Sequence, residues 1–223
     1  MEARFDVADT MLQLHYHPSN ASMAPHLLLE ELGVPFELKL VDRARQAHKM
    51  PEYLRLNPNG LIPVLIDGDL VLYEAAAICL HLADTHPLAA LAPTVGTGQR
   101  AHFYKWLVWL TNTLQATLIV YFYPQRWADA PDAVTQVKAH AEAKVGAMLD
   151  QLDAELARHG EPWLLGPTFS AADAYALMLC RWTRGFVRPA RHLLQLGPYL
   201  QRMLARPATR RVFEREGLAQ PWI

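Results

Sequence analysis

The residues best placed to do chemistry lie between Leu56 and Ile78, in the stretch LNPNGLIPVLIDGDLVLYEAAAI. Asn57-Pro58-Asn59-Gly60 is dense in turn formers, so the chain reverses there. Ile62 to Ile66 reads as a short apolar strand with Pro63 near its start, where the missing N–H breaks no ladder. Asp67-Gly68-Asp69 signals a tight hairpin, and Leu70-Val71-Leu72 is the return strand. Glu74 then opens an alanine-rich helix from Ala75 to about Asp84, which sets unpaired helical N–H groups just beyond the strand. Such an end can receive an anion, although by itself the stretch reads first as a strand-start proline and a solvated glutamate. Elsewhere the reactive residue types are dispersed. Cys79 and Cys180 are far apart in apolar helical contexts and are expected as buried, reduced thiols. The ten histidines follow no metal-ligand spacing, and His15 and His17 on alternate strand positions do not make a site.

Composition narrows the classes. A chain of 223 residues carries one large domain or two small ones, and its net charge of −1 gives no electrostatic reason to bind nucleic acid or an anionic membrane. Although 52% of residues are apolar, no continuously apolar run approaches the ~20 residues that span a bilayer. Residues 1–10, MEARFDVADT, lack the apolar core of a signal peptide and are read as a loose tail, so a cytoplasmic protein is expected.

The elements that must position these residues can be taken in order. Leu12, Leu14 and Tyr16 alternate with Gln13 and His15 as a half-buried strand. Pro18 to Ser22 makes a turn, and MAPHLLLEELG follows as a helix with Ser22 as candidate N-cap, Pro25 in its first turn and Gly33 as its stop. Phe36, Leu38 and Leu40 form the second strand, which implies a parallel pair with a right-handed crossover. Residues 42–56 are polar, with one helical turn at Pro51–Leu56. The first domain, residues 11–87, is therefore β-α-β-α-β-β-α. A linker follows over residues 88–97, and everything from 98 to 223 reads helical. Phe103, Trp106, Leu107, Leu110, Leu114, Leu118 and Phe122 keep helical spacing up to Pro124. A second amphipathic run extends from Asp132 to His159-Gly160. Ser170 and Asp173 form a capping-box variant ahead of AYALMLCRW. The last helices cover Arg191–Leu196, Tyr199–Ala205 and the segment after Pro207. The fold class is α+β.

This plan resembles the soluble glutathione S-transferases, bacterial in kind, with beta-, phi- and zeta-like features. The resemblance rests on five landmarks in order: YHPSNASMAPH, LNPNGLIPVL, DGDLVLYEAAAI, FSAAD and MLARPATRRVFEREGL. It covers essentially the whole chain from Met11 and implies a thioredoxin-like domain followed by an all-helical domain. It further implies that Pro63 is cis, that Ile62 pairs by its backbone with the cysteinyl part of glutathione, and that Glu74 and the Ala75 N–H meet its γ-glutamyl end. Ala75 stands where the family usually has serine, and Leu61 replaces a common glutamine, so glutathione affinity is expected to be modest. His48-Lys49, nine residues before Asn57, match the phi-class pair that holds the glycine carboxylate.

The chemistry implied is thiol activation, with a hydroxyl at the first strand–helix turn. Ser19 aligns with the catalytic serine of the plant-type and zeta-like classes. The turn otherwise resembles the beta class, whose catalytic cysteine falls on Ala21. Asn20 and Ser22 are the other candidate donors, with the alternative that Ser19 and Ser22 merely cap the turn and the helix. On the electrophile side Tyr16, Asn112, Gln115, Tyr121 and Tyr123 are candidates around a wide apolar pocket with few polar groups, though a helical aromatic stripe is more often core than pocket. The resemblance implies glutathione as co-substrate with no metal, a small hydrophobic electrophile, and a homodimer whose edge includes Leu70, Leu72 and Tyr73. Two alternatives stay open: a glutathione-dependent disulfide or peroxide reductase on the same site, and a non-enzymatic interaction protein on the same fold.

Overall fold

The structure, a computed structural model, describes residues 11–223; the N-terminal tail of the sequence reading lies outside them. Four strands form one sheet in the order β2-β1-β3-β4, with β1 Leu12–Tyr16, β2 Phe36–Leu40, β3 Val64–Asp67 and β4 Leu70–Tyr73. β1 and β2 run parallel, with Leu14 opposite Leu38, because helix α1 (Met23–Leu32) carries the chain back between them. β3 lies antiparallel to β1 with Leu65 opposite Leu14, and the Gly68-Asp69 turn returns the chain as the edge strand β4. Leu14 and Leu65 are fully buried beneath α1 and α3 (Ala75–Thr85). On the other side, the short helix α2 (Pro51–Leu54) brings Tyr53 against Val41 and Val64.

The helical part begins with α4 (Gly98–Trp109) and α5 (Ala116–Phe122). The sequence pattern reads as one uninterrupted helix here. Instead a π-helical stretch, Leu110–Gln115, joins the two and shifts the register of the faces that follow. The long α6 (Pro131–His159), α7 (Ala171–Trp182), α8 (Leu196–Ala205) and α9 (Pro207–Arg215) complete it. The helix expected over Arg191–Leu196 is only a 3-10 turn at Ala190–His192, after which Gln195 and Leu196 N–H groups are held by Asp153 at 2.8 Å each.

α7 is buried along nearly its whole length, packed against α1, α3 and α4, so it is the spine on which both parts meet. Its N-terminus is fixed by Asp173. That carboxylate accepts the N–H groups of Leu164 and Ser170, each at 2.8 Å, and the hydroxyls of Ser170 and Tyr199, each at 3.0 Å. Burial pushes the Asp173 carboxyl up and these four donors pull it back. At the other end of the chain, α9 is tied to α1 by charge: Glu30 takes Arg211 and Arg215, while Glu31 takes Arg206 in a two-point pair at 2.6 and 2.8 Å. No helix among the described residues is long and apolar enough to cross a membrane.

Candidate active site

Where β1 ends, the chain must turn sharply into α1, and Ser19 makes that turn at φ 63°. A left-handed backbone costs a non-glycine residue roughly 1–2 kcal/mol, so something must hold it. Two contacts from the far end of the sequence do. The Ser19 N–H donates to Oε2 of buried Glu216 at 2.8 Å, and the Ser19 Oγ accepts from Nη1 of Arg181, on α7. Glu216 also meets Nδ1 of buried His26 at 2.9 Å. Arg181 is 3% exposed; burial first, and then the neighbouring charge of Arg184, lower its guanidinium to about 10. It is therefore still a cation at neutral pH. With a charged donor already on its oxygen, the Ser19 hydroxyl has its proton left to give to a partner, and the polarisation strengthens that donation.

Ser19, Asn20 and Ala21 line one wall of a cavity of about 390 Å³. The Asn20 Oδ1 accepts the Ala21 N–H at 2.7 Å, which leaves Nδ2 as its free donor. Ser22 is different. Its own backbone is already helical and its hydroxyl makes no capping bond to α1, contrary to the reading as N-cap. It is fully buried, donating to the His17 carbonyl at 3.1 Å and accepting the His17 N–H at 3.2 Å, and it does not line the cavity.

The next wall is His48-Lys49 packed on Gly60. Gly60 has φ 60°, and a Cβ there would stand 2.8 Å from both the His48 carbonyl oxygen and the Lys49 Nζ. Only glycine lets these segments close together. His48 Nδ1 is buried without a partner among the described residues. Burial, followed by the charges of Lys49, Arg43 and His17, holds the His48 imidazole below its ordinary value. Beyond Gly60 the Leu61 carbonyl accepts from the Tyr53 hydroxyl at 2.8 Å and from Asn57 Nδ2 at 2.9 Å. These two bonds set the backbone of Leu61 and Ile62, which line the cavity ahead of the cis Ile62–Pro63 peptide; β3 starts only at Val64. Glu74, exposed and at φ 74°, and buried Ala75 stand at the N-terminus of α3, outside this lining.

The facing wall is helical. Gln115, at the end of the π-helical stretch, accepts from the Tyr175 hydroxyl through Oε1. Ile119, Phe122 and Tyr123 follow from α5 and its end, then Arg126, with Trp182 and Arg184 from the end of α7. Of the other residues expected on this side, Tyr16 packs edge-on to His26, Asn112 is exposed beside Thr111, and Tyr121 stacks on Phe186 at 4.2 Å; none of the three lines the cavity. The expectation of an apolar pocket with few polar groups also needs correcting. Arg43, Lys49, Arg126 and Arg184 line it and no aspartate or glutamate does. Sequence reasoning did not find Arg181, Glu216, Arg43, Arg126, Trp182 or Arg184, because no local pattern marks which residues of distant segments meet the first turn or the cavity. The cysteines take no part. Both are buried and unpaired, with burial raising each thiol, Cys180 to about 12.

A four-stranded thioredoxin-like sheet with a cis-proline loop beside the first turn, closed by a helical part over one cavity, defines a class of glutathione-handling proteins. Residues 18–85 match the N-terminal domain family of glutathione S-transferases, and residues 125–215 match the C-terminal domain family. The chain belongs to the glutathione S-transferase family and is an enzyme of that family. It is 32% identical to glutathione S-transferase GST-4.5 of Xanthomonas campestris over 93% of this chain and 100% of the relative. It is 30% identical to glutathione S-transferase GstA of Escherichia coli O157:H7, again over 93% and 100%. A solved glutathione transferase homologue from Sulfitobacter, with bound glutathione, superposes with a TM-score of 0.85 at 28% identity, covering 94% of this chain and 99% of that one.

Proposed function

We propose that the protein binds glutathione along the sheet side of the cavity, ionises its thiol at Ser19, and transfers the sulfur to a hydrophobic electrophile held by the helical wall. The observation that carries this is the Arg181–Ser19 bond: a buried cation occupies the serine oxygen from behind and leaves a polarised proton for a thiolate. In this reading His48 and Lys49 take the glycine carboxylate, Ile62 the cysteinyl backbone, and Glu74 with the Ala75 N–H the γ-glutamyl end. Asn20 Nδ2 is the auxiliary donor to sulfur, and Ser22 acts only by holding the turn. A free thiol near pKa 8.5 is about 3% ionised at pH 7, and lowering it by about two units takes roughly 2.7 kcal/mol. A charge-assisted hydroxyl bond of about 1.5–3 kcal/mol, with the N-terminus of α1 and the nearby cations, is of that size.

The thiol proton leaves to solvent on ionisation. The thiolate then forms a sulfur–carbon bond as the carbon–leaving-group bond breaks, and the leaving group departs with that electron pair. The test is an ultraviolet titration of the bound thiol. It should ionise about two units below free glutathione, and Ser19→Ala should raise that midpoint by about one to two units. A midpoint unmoved by Ser19→Ala sinks the assignment. A homodimer is proposed along the edge strand β4, where Leu70 and Val71 are each 41% exposed; a monomer mass in light scattering would count against it.

A further inference from the structure

Resting on that reading of the cavity, we propose that the electrophile this enzyme selects carries a negatively charged group, such as an aryl carboxylate, and that Arg126 and Arg184 receive it. The chain as a whole has a net charge of −1, yet its cavity is lined by four permanent cations and no carboxylate. Glutathione does not account for them. It brings two carboxylates and one ammonium, and in the proposed pose its anionic ends fall to His48, Lys49 and the N-terminus of α3. That leaves three guanidiniums, and two of them, Arg126 and Arg184, belong to the helical wall where the electrophile lies.

Their neighbours show what they are free to do. Many arginines of this protein are spent on carboxylates: Arg100 on Asp84, Arg188 on Asp150, Arg206 on Glu31, Arg211 and Arg215 on Glu30. Among the described residues, Arg43, Arg126 and Arg184 meet none. Arg126 lies over the Tyr123 ring at 4.2 Å, Arg43 Nη2 donates to the Tyr123 hydroxyl at 3.1 Å, and Arg184 Nη1 donates to the Arg181 carbonyl at 3.1 Å. These contacts position each guanidinium but leave its charge uncompensated. Phe122 and Trp182, edge to face at 6.2 Å, add an aromatic surface to the same wall. An aromatic surface beside fork-shaped cations fits a flat ring bearing a carboxylate, which arginine can grip at two points.

Two glutathione conjugates differing by one charge test this by binding alone. Calorimetry would compare S-benzylglutathione with S-(para-carboxybenzyl)glutathione, after glutathione itself. The carboxylated conjugate should bind about tenfold more tightly, as one well-formed charge-assisted pair allows. That ratio should fall towards one in Arg126→Gln with Arg184→Gln, and should also shrink in about 0.5 M salt. Equal or weaker binding of the carboxylated conjugate overturns the proposal while leaving the glutathione site standing. A preference that survives both substitutions overturns the assignment to these arginines. If glutathione and the benzyl conjugate both fail to bind, the functional reading falls, and this inference with it. The salt arm uses the unmodified protein, so poorly folded variants would not shield the proposal.

Discussion

On the sheet side of the cavity, shape is largely a matter of backbone: the left-handed turn at Ser19, the Gly60 contact with His48 and the Leu61–Ile62 peptides before a cis proline. On the helical side it is almost entirely side chains: Gln115, Phe122, Arg126, Trp182 and Arg184. A backbone wall can be altered only by moving the chain, so its form is set by turn residues. A side-chain wall can be exchanged residue by residue on an unchanged helix. The contrast implies that this chain's individuality lies in the helical wall and its shared chemistry in the sheet wall. Arg181 is where the two meet, since it comes from the helical part but acts on the turn.

The largest expected effect concerns the frame behind the helical wall. Asp173→Ala leaves two buried N–H groups and the Tyr199 hydroxyl without their acceptor. Stability should fall by about 3 kcal/mol or more, read as a lower denaturant midpoint with an unchanged slope. A loss below about 1 kcal/mol would mean that the helical wall does not depend on α7's buried cap.

Next in size is the link between the walls. Arg181→Met removes the charged donor from the Ser19 oxygen while keeping an apolar stem. The bound thiol should ionise about one unit higher, and turnover near neutral pH should drop about tenfold and recover at pH 9. Arg181→Lys, still cationic, should restore part of the loss. Should turnover fall equally at every pH with the thiol midpoint unmoved, Arg181 only holds the fold, and the walls are chemically independent.

That division also explains what could be read from the sequence. The sheet half was legible because turn chemistry is local. Asn57 to Gly60 marks the reversal, Pro63 can sit only at a strand start, and Gly68-Asp69 closes the hairpin, which in the structure joins β3 and β4 with Asp67 opposite Leu70. Ser170 and Asp173 were legible for the same reason, being three residues apart. The helical wall was not. Helical spacing shows that Tyr121 and Tyr123 are near a boundary but not which faces the cavity, and the π-helical stretch at Leu110–Gln115 shifts the faces beyond it. No local signal joins Ser19 to Arg181, 162 residues on, or Ser19 to Glu216. Ser22 misled because a serine before a helix looks like a cap whether or not its backbone is already helical.

A smaller effect separates backbone fit from side-chain charge on the sheet wall. Gly60→Ala puts a Cβ 2.8 Å from the His48 carbonyl and the Lys49 Nζ, and at φ 60° it adds roughly 1–2 kcal/mol of backbone strain. Glutathione affinity should fall several-fold, on the order of 1 kcal/mol, as the His48-Lys49 segment is displaced, while turnover at saturation changes less. If turnover suffers more than affinity, the segment supports the reacting sulfur rather than a remote carboxylate.

The smallest effect is a pH dependence, and its sign follows from His48. Burial, then Lys49, Arg43 and His17, lower its imidazole below the ordinary 6.5, so in the free protein it is neutral at pH 7. A carboxylate arriving beside it favours the charged form and raises that value, so binding of S-methylglutathione, whose blocked sulfur has no proton to release, takes up a proton. Affinity for this analogue must therefore improve as pH falls from about 7.5 towards 5.5, by a few-fold at most, since Lys49 meets the same carboxylate. The carboxylates of S-methylglutathione stay ionised and its amine protonated across this range, and it carries no thiol, so the slope comes from the protein. His48→Ala should raise the apparent constant for glutathione more than it lowers turnover, because the contact is made equally in ground and transition states. It should also flatten the pH dependence, which distinguishes His48 from its neighbour His17. Calorimetry in two buffers of different ionisation enthalpy would count the protons directly. Proton release, or a slope that persists in His48→Ala, would remove His48 from the glycine-carboxylate site and leave that carboxylate to Lys49 alone.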